Sequence, residues 1–184
     1  MIERELEHTI RSKMHKGKAI ILLGPRQTGK TTLIMKILSS PGEFLMLNCD
    51  DPVVREQLDN ANTETLRQLV GKHSIVFIDE AQRIKNTGLT LKLIVDTFRS
   101  VQLLLSGSSS FELADRINEP LTGRKWEYFL YPVSWKELND YAGHLNVTKQ
   151  IESRLIYGMY PEVIINPGDE KEILRQLSDS FLYK

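Results

Sequence analysis

The stretch AIILLGPRQTGKTTLIMKILSS, Ala19 to Ser40, decides how the rest of the chain is read. Ala19–Gly24 is a continuous apolar run, the pattern of a strand buried on both faces. Gly24-Pro25-Arg26-Gln27-Thr28-Gly29-Lys30-Thr31 then fits G-x-x-x-x-G-K-[ST], and KTTLIMKILSS reads as a helix ending before Pro41. A strand before and a helix after are the context such a phosphate loop requires. By average composition the pattern arises by chance in about 1% of chains this long, or fewer, so it outweighs a glycine turn with a solvated lysine. Gly24 and Gly29 allow a close approach that a side chain would block. The loop turns successive N–H groups inward as an anion nest, and the helix starting near Lys30 adds its positive end. Gly24, Pro25, Arg26, Gln27, Thr28, Gly29, Lys30, Thr31 and Thr32 are therefore the candidate phosphate-binding residues. Lys30 is placed to reach β and γ phosphates, and the Thr31 hydroxyl to ligate Mg²⁺.

Outward from this stretch, strands and helices alternate. Ile2, Leu6, Ile10 and Met14 recur every four residues, one stripe of an amphipathic helix ending near Gly17. Strands are predicted over Glu43–Asn48, Ser74–Asp79, Val101–Ser108 and Trp126–Val133. Helices are predicted after Asp51-Pro52, over Thr63–Lys72 with Thr63 or Asn62 as cap, around Leu89–Phe98, and over SFELADRI, Ser110–Ile117. Ser134 and Glu137 have capping-box spacing and open a further helix. Two more helices are expected over Lys149–Tyr157 and Asp169–Lys184. Strands alternating with helices imply an α/β fold, a parallel sheet with helices on both faces, followed by a small helical C-terminal part. The expected division is a core with its N-terminal helix over 1–133 and a helical extension over 134–184. The apolar face Ile173, Leu174, Leu177, Phe181 and Leu182 still runs where the chain stops. That reads either as the start of a further C-terminal domain or as a terminal helix docked on the core.

Asp79 and Glu80 end the strand SIVFID, and ligands collect at the carboxyl ends of parallel strands. Asp79 is expected to hold Mg²⁺ directly or through water, and Glu80 to orient and activate an attacking water. The alternative, a solvated pair of carboxylates, loses weight beside a phosphate loop. Asp79-Glu80-Ala81-Gln82 also lacks the D-x-x-G of switch GTPases. Ser106 ends the strand in LLLSGSSS, where it senses a γ-phosphate or holds the attacking water, or else belongs to a serine-rich turn whose Ser108, Ser109 or Ser110 caps a helix. Arg124 in LTGRKW reads either as an arginine reaching a γ-phosphate, in cis or from a neighbour, or as a surface arginine paired with Glu119 or Glu127. Arg26 contacts phosphate or staples the loop to a carboxylate. The cluster Arg11, Lys13, His15, Lys16 and Lys18 reads as the cationic end of a solvated helix.

The 184 residues carry 24 Lys plus Arg against 24 Asp plus Glu, a net charge of zero that argues against a surface built for nucleic acid. The single cysteine, Cys49, excludes an intramolecular disulfide framework and fits a reducing compartment. Charges throughout the first 18 residues leave no signal-peptide core, and no apolar run approaches membrane length. A cytoplasmic protein with no membrane partner is expected.

GPRQTGKTT, the strand ending IDEAQ, LLLSGSSS, LTGR and YGMYPE occur in this order. Together they resemble the prokaryotic P-loop ATPases of the AAA superfamily that begin G-P-R-Q-x-G-K-T-T, over nearly the whole chain. The resemblance implies a three-layer fold with strand order 5-1-4-3-2, and ATP with Mg²⁺ as ligands. It implies Lys30 and Thr31 on phosphates and metal, Asp79 on the metal, Glu80 as catalytic carboxylate, Ser106 as polar sensor and Arg124 as the L-x-G-R arginine. It also implies a further C-terminal domain and makes a homo-oligomer conceivable. YGMYPE departs from the family pattern at Met159, where a second glycine is expected. The function implied is ATP hydrolysis driving a conformational change. The competing readings are an ATP-binding switch with little turnover and one motor domain of a helicase, which bring a protein or a nucleic-acid partner.

Overall fold

The computed structural model describes residues 1–39, 44–108, 117 and 119–182. The chain divides into two compact units, one of Leu6–Arg26 with Lys30–Leu130, the other of Met1–Glu5, Gln27–Gly29 and Tyr131–Lys184.

The first unit is built on β1 (Ala19–Leu23), β2 (Phe44–Asn48), β3 (Ile75–Asp79), β4 (Gln102–Gly107) and β5 (Lys125–Phe129). All pairings are parallel and the order is β2-β3-β4-β1-β5, the order the family resemblance implies. The three central strands carry the apolar runs, and β1 and β4 are buried at every position. Alternation sorts their side chains to two faces. Ala19, Ile21, Leu23, Val76, Ile78, Leu103 and Leu105 pack beneath α3 (Pro52–Asp59), α4 (Thr63–Val70) and α5 (Thr87–Thr97) through Leu58, Leu66, Val70, Leu91 and Ile94. Ile20, Leu22, Phe77 and Leu104 meet Ile10 of α1 (Glu5–Lys13) and Leu33, Ile34, Ile37 and Leu38 of α2 (Lys30–Leu38) on the other face. Each fully buried Leu or Ile contributes about 1.5–3 kcal/mol, so both helix layers are firmly held.

The helix caps follow their sequences. Asp51 accepts from Val53 N with Pro52 in the first turn, and Asn62, not Thr63, caps α4 by accepting from Thr65 N. The aromatic strand predicted through Val133 ends at Phe129, because β5 is an edge strand and the chain turns away once Leu130 N bonds Leu23 O. Helix α1 begins at Glu5, later than the four-residue stripe suggests. Lys13 and Lys18 of the basic cluster lie over the Trp126 ring at 4.6 and 4.4 Å, so part of that cluster is a cation–π contact, not a solvated end. Cys49 is buried at the end of β2, and burial pushes its thiol up to about 12, which keeps it an inert thiol. The helix predicted over SFELADRI falls outside the described residues except for Ile117.

The second unit holds α6 (Trp135–Ala142), α7 (His144–Lys149), α8 (Ile151–Tyr157), α9 (Pro161–Ile165) and α10 (Glu170–Leu182). Ser134 and Glu137 form the expected capping box at the start of α6. Helices α7 and α9 are additional to those predicted. Both are short, and α7 shares Gly143 as a junction with α6. Ile2, Val133, Leu138, Val147 and Ile164 make a small core. Met159 packs against it and its carbonyl accepts from Val133 N at 2.8 Å. That contact gives a packing reason for a methionine where the resemblance implies glycine. Arg154 pairs with Glu170 at 3.5 Å, tying α8 to α10.

Candidate functional site

The parallel sheet brings the sequence motifs to one end. The phosphate loop leaves β1 after Leu23, Asp79 is the last residue of β3, and β4 lies between those strands. Register then fixes the neighbours. Leu22 lies opposite Ser106, and Ile78 opposite Leu105, so the next position of β3, Asp79, comes beside Ser106.

Gly24 enters the loop with φ +149°, and a Cβ there would sit 2.3 Å from the carbonyl oxygen of Leu130. Glycine is thus required by the exit of β5 as well as by any phosphate. Gln27 holds φ +59° without being glycine, one of the few such residues described, and Gly29 has φ +90°. Thr28 is fully buried, Pro25, Arg26 and Gly29 are half-buried, and Gln27 and Thr32 are exposed.

Lys30 opens α2, buried, with its ammonium donating to Gly24 O at 3.0 Å and Pro25 O at 2.8 Å. Burial holds its pKa below the ordinary lysine range, with Arg26 adding to the fall and Glu80 and Asp79 opposing it. Arg26 therefore adds positive charge to the Lys30 surroundings. Thr31 Oγ1 donates to Asp79 Oδ2 at 2.8 Å. The other oxygen, Oδ1, accepts from Ser106 Oγ in a short hydrogen bond and from Glu80 N at 3.1 Å. Glu80 N also lies 3.3 Å from Ser106 Oγ.

Glu80 adopts a left-handed conformation, φ 53° and ψ 43°, before the 3₁₀ turn Ala81–Arg83. This unusual backbone for a glutamate turns its carboxylate toward Gln82 and Ser108. Gln82 Nε2 donates to Glu80 Oε2 in a short hydrogen bond and to Ser108 Oγ at 2.9 Å, and Ser108 Oγ donates to Glu80 Oε2 at 3.1 Å. Sequence reasoning passed over Gln82 as a partner of Glu80. The spacing in Asp79-Glu80-Ala81-Gln82 carries no signal for this pair, because it is the left-handed backbone at Glu80 that brings the two side chains together. Ser108, a helix-cap candidate in the sequence, is also a partner of Gln82 and Glu80.

Arg124 is not brought to its own loop. Its carbonyl accepts from Ala19 N, at the start of β1, whereas the loop follows the end of β1. Five strand residues at ~3.3 Å each separate the two ends by roughly 16 Å. Its guanidinium pairs with Asp96, not with Glu119 or Glu127, and both partners are substantially exposed. A contact in cis between Arg124 and a phosphate in this loop is thereby corrected: a strand parallel to β1 starts at the sheet end opposite the loop.

The oxygen pair Thr31 Oγ1 and Asp79 Oδ2 is a hard donor set at hydrogen-bond distance, which fits Mg²⁺ completed by phosphate oxygens and water. The glycine-lined loop with a buried ammonium at its base fits a polyphosphate. Among the described residues, no helix is long and apolar enough to cross a membrane.

Comparison with known proteins agrees with this geometry. Over 122 residues the chain is 32% identical to an uncharacterized protein of Mycobacterium tuberculosis and to one of Mycobacterium bovis, covering 66% of this chain. The chain spans about a quarter of the length of those relatives, 26%. A Walker-type ATPase of Pyrococcus abyssi superposes with TM-score 0.63 at 17% identity, covering 98% of this chain and 72% of that one. A signal-transduction ATPase with a tetratricopeptide-repeat sensor from Pyrococcus horikoshii gives TM-score 0.56 at 11% identity, covering 89% of this chain and 29% of that one. These two likenesses speak for the fold. A family model described as an AAA domain matches residues 16–139, well over half of the chain and all the motifs of the site. The chain belongs to the AAA-domain family and has a P-loop fold of the AAA type.

Proposed function

We propose that this chain binds Mg-ATP and hydrolyses it, coupling turnover to a conformational change. The observation that carries the reading is the Thr31–Asp79 contact. It joins the first turn of the loop helix to the end of β3 through two metal-compatible oxygens, with Glu80 the next residue. Inward N–H groups of the loop and Lys30 would hold the phosphates, and Thr31 and Asp79 the metal. Bound there, magnesium would supply neutralisation of the phosphate charge. Ser106 orients Asp79 through its short hydrogen bond and also faces Glu80 N. Glu80 positions and deprotonates the attacking water once its carboxylate leaves Gln82 and Ser108.

Arg124 acts, in this reading, on nucleotide held by a second copy of the chain. Its exposure and its place at the sheet end opposite its own loop support a role in trans. One observation favours the second reading, a nucleotide switch with little turnover: the Glu80 carboxylate is engaged by two partners at once.

Phosphate release and calorimetric titration of Glu80→Gln and Lys30→Ala separate these readings. Hydrolysis predicts that Glu80→Gln binds Mg-ATP within about threefold of wild type and releases phosphate at least ~100-fold more slowly, the scale of a lost general base. Lys30→Ala loses binding. Equal phosphate release by Glu80→Gln and wild type refutes the role of Glu80. Tight binding with negligible turnover by wild type itself favours the switch.

A further inference from the structure

We infer that Arg4 is a positioning residue that fixes the tip of the phosphate loop in its anion-accepting shape. This inference rests on the nucleotide-binding reading and deepens it. Arg4 Nη1 donates to Thr28 O at 2.7 Å, and Nη2 donates to Tyr131 O at 2.6 Å and Pro132 O at 3.5 Å. Its Nε lies 3.2 Å from Glu137 Oε1, with side chains only 9% and 7% exposed. Glu137 is immobilised in turn. Its Oε1 accepts from Glu5 N at 2.8 Å and its Oε2 from Ser134 N at 2.8 Å, within the capping box of α6.

The bond to Thr28 O bears on the loop through the geometry of one peptide plane. In a trans peptide the carbonyl of residue 28 and the N–H of residue 29 point in opposite directions. The described residues contain no cis peptide. Holding Thr28 O therefore sets the direction of the Gly29 N–H. The plane ends in glycine, whose φ of +90° lies where backbone rotation meets little steric resistance. A Cβ on Gly29 would have only Arg4 Nη1 within 4 Å, at 3.9 Å, so the guanidinium lies directly beside this glycine. The charge-assisted hydrogen bond from Arg4 restrains that plane at its carbonyl end. A buried guanidinium costs desolvation, which three carbonyls and a carboxylate offset, and the share from Thr28 O is kept only while the loop holds this shape. Lysine, with one compact charged head, could not span the same acceptors.

The test is calorimetric titration of the full chain with Mg-ATP and with Mg-ADP, alongside steady-state phosphate release and thermal melting. Arg4→Ala is expected to raise Kd for both nucleotides by about tenfold, the scale of one charge-assisted hydrogen bond. Its kcat at saturating ATP stays within about twofold, because Lys30, Thr31, Asp79 and Glu80 are untouched. Arg4→Lys and Glu137→Gln fall between Arg4→Ala and wild type. Variants that melt cooperatively and bind both nucleotides as wild type does overturn the inference. So does a loss confined to ATP, which would make Arg4 a γ-phosphate contact, or a fall in kcat as large as the fall in affinity. If Arg4→Ala does not fold, the two milder variants decide by the same criteria. Wild type that binds neither nucleotide defeats the underlying reading and this inference with it. Wild type that binds while the variants are indifferent defeats the inference alone.

Discussion

Replacing Gly24 with alanine is expected to unfold the protein more readily before any nucleotide is considered. The added Cβ would lie 2.3 Å from Leu130 O, 3.2 Å from its carbonyl carbon and 3.4 Å from its nitrogen, all main-chain atoms. Reaching an ordinary contact requires a shift of about 1 Å, and backbone cannot swing aside as a long side chain does. The atoms that must give belong to the segment anchored by the 2.7 Å bond from Leu130 N to Leu23 O. Losing that bond costs about 1 kcal/mol. Forcing an L-residue to φ +149° costs roughly a further 1–3 kcal/mol. The sum is about 2–4 kcal/mol. Gly29→Ala is the control, since its nearest neighbour is the tip of a flexible side chain at 3.9 Å, leaving only the strain of φ +90°. Urea unfolding followed by far-ultraviolet circular dichroism measures both. Gly24→Ala should lower the midpoint with an unchanged m value, and by more than Gly29→Ala. A loss under about 0.5 kcal/mol for Gly24→Ala, or a larger one for Gly29→Ala, would refute the close-approach argument.

Two further outcomes follow from the site. If Arg124 serves a neighbouring copy, Arg124→Ala and Lys30→Ala should each be nearly inactive alone, yet their mixture should release phosphate faster than the two rates added. A mixture no faster than that sum removes Arg124 from hydrolysis in trans. The buried Lys30 ammonium gives a pH signature: its folded pKa lies below its unfolded one, so the unfolded chain binds the proton more readily between those values. Through this group the stability of the nucleotide-free protein should rise as pH climbs toward the ordinary lysine range, and Lys30→Met should flatten that rise in denaturation curves recorded against pH. An unchanged slope in Lys30→Met would mean that burial does not control this lysine.

The central fold was legible because its strands are buried on both faces. AIILL, IVFID and QLLLSG have few polar positions to confuse their period, and β1 and β4 are buried at every residue. The edge strand β5 was overrun by four residues, since Leu130 to Val133 stay apolar and aromatic after pairing has ceased. That strand ends where the chain turns at Leu130, beside Leu23 and Gly24, which lie far from it in sequence. The capping box at Ser134 was legible because both partners lie within one turn. Short helices α7 and α9 were not, having too few residues to establish a period.

The candidate site divides along the same line. Residues whose placement follows from strand direction alone came together: Lys30 and Thr31 after β1, Asp79 and Glu80 at the end of β3, Ser106 at the end of β4. Direction alone also carries Arg124 away, for a residue that precedes a strand parallel to β1 must lie at the end β1 starts from. The sequence therefore held the correction to the cis reading in the position of LTGR before WEYF. Arg4 had no such marker. It precedes a helix whose apolar stripe draws attention to Ile2, Leu6 and Ile10, and its partners Thr28, Tyr131 and Pro132 offer only main-chain oxygens, which any residue could supply. Contacts to backbone carbonyls leave no trace in the identity of the partner. A loop motif read from its own residues thus specifies which groups face an anion, but not what keeps the peptide planes turned that way.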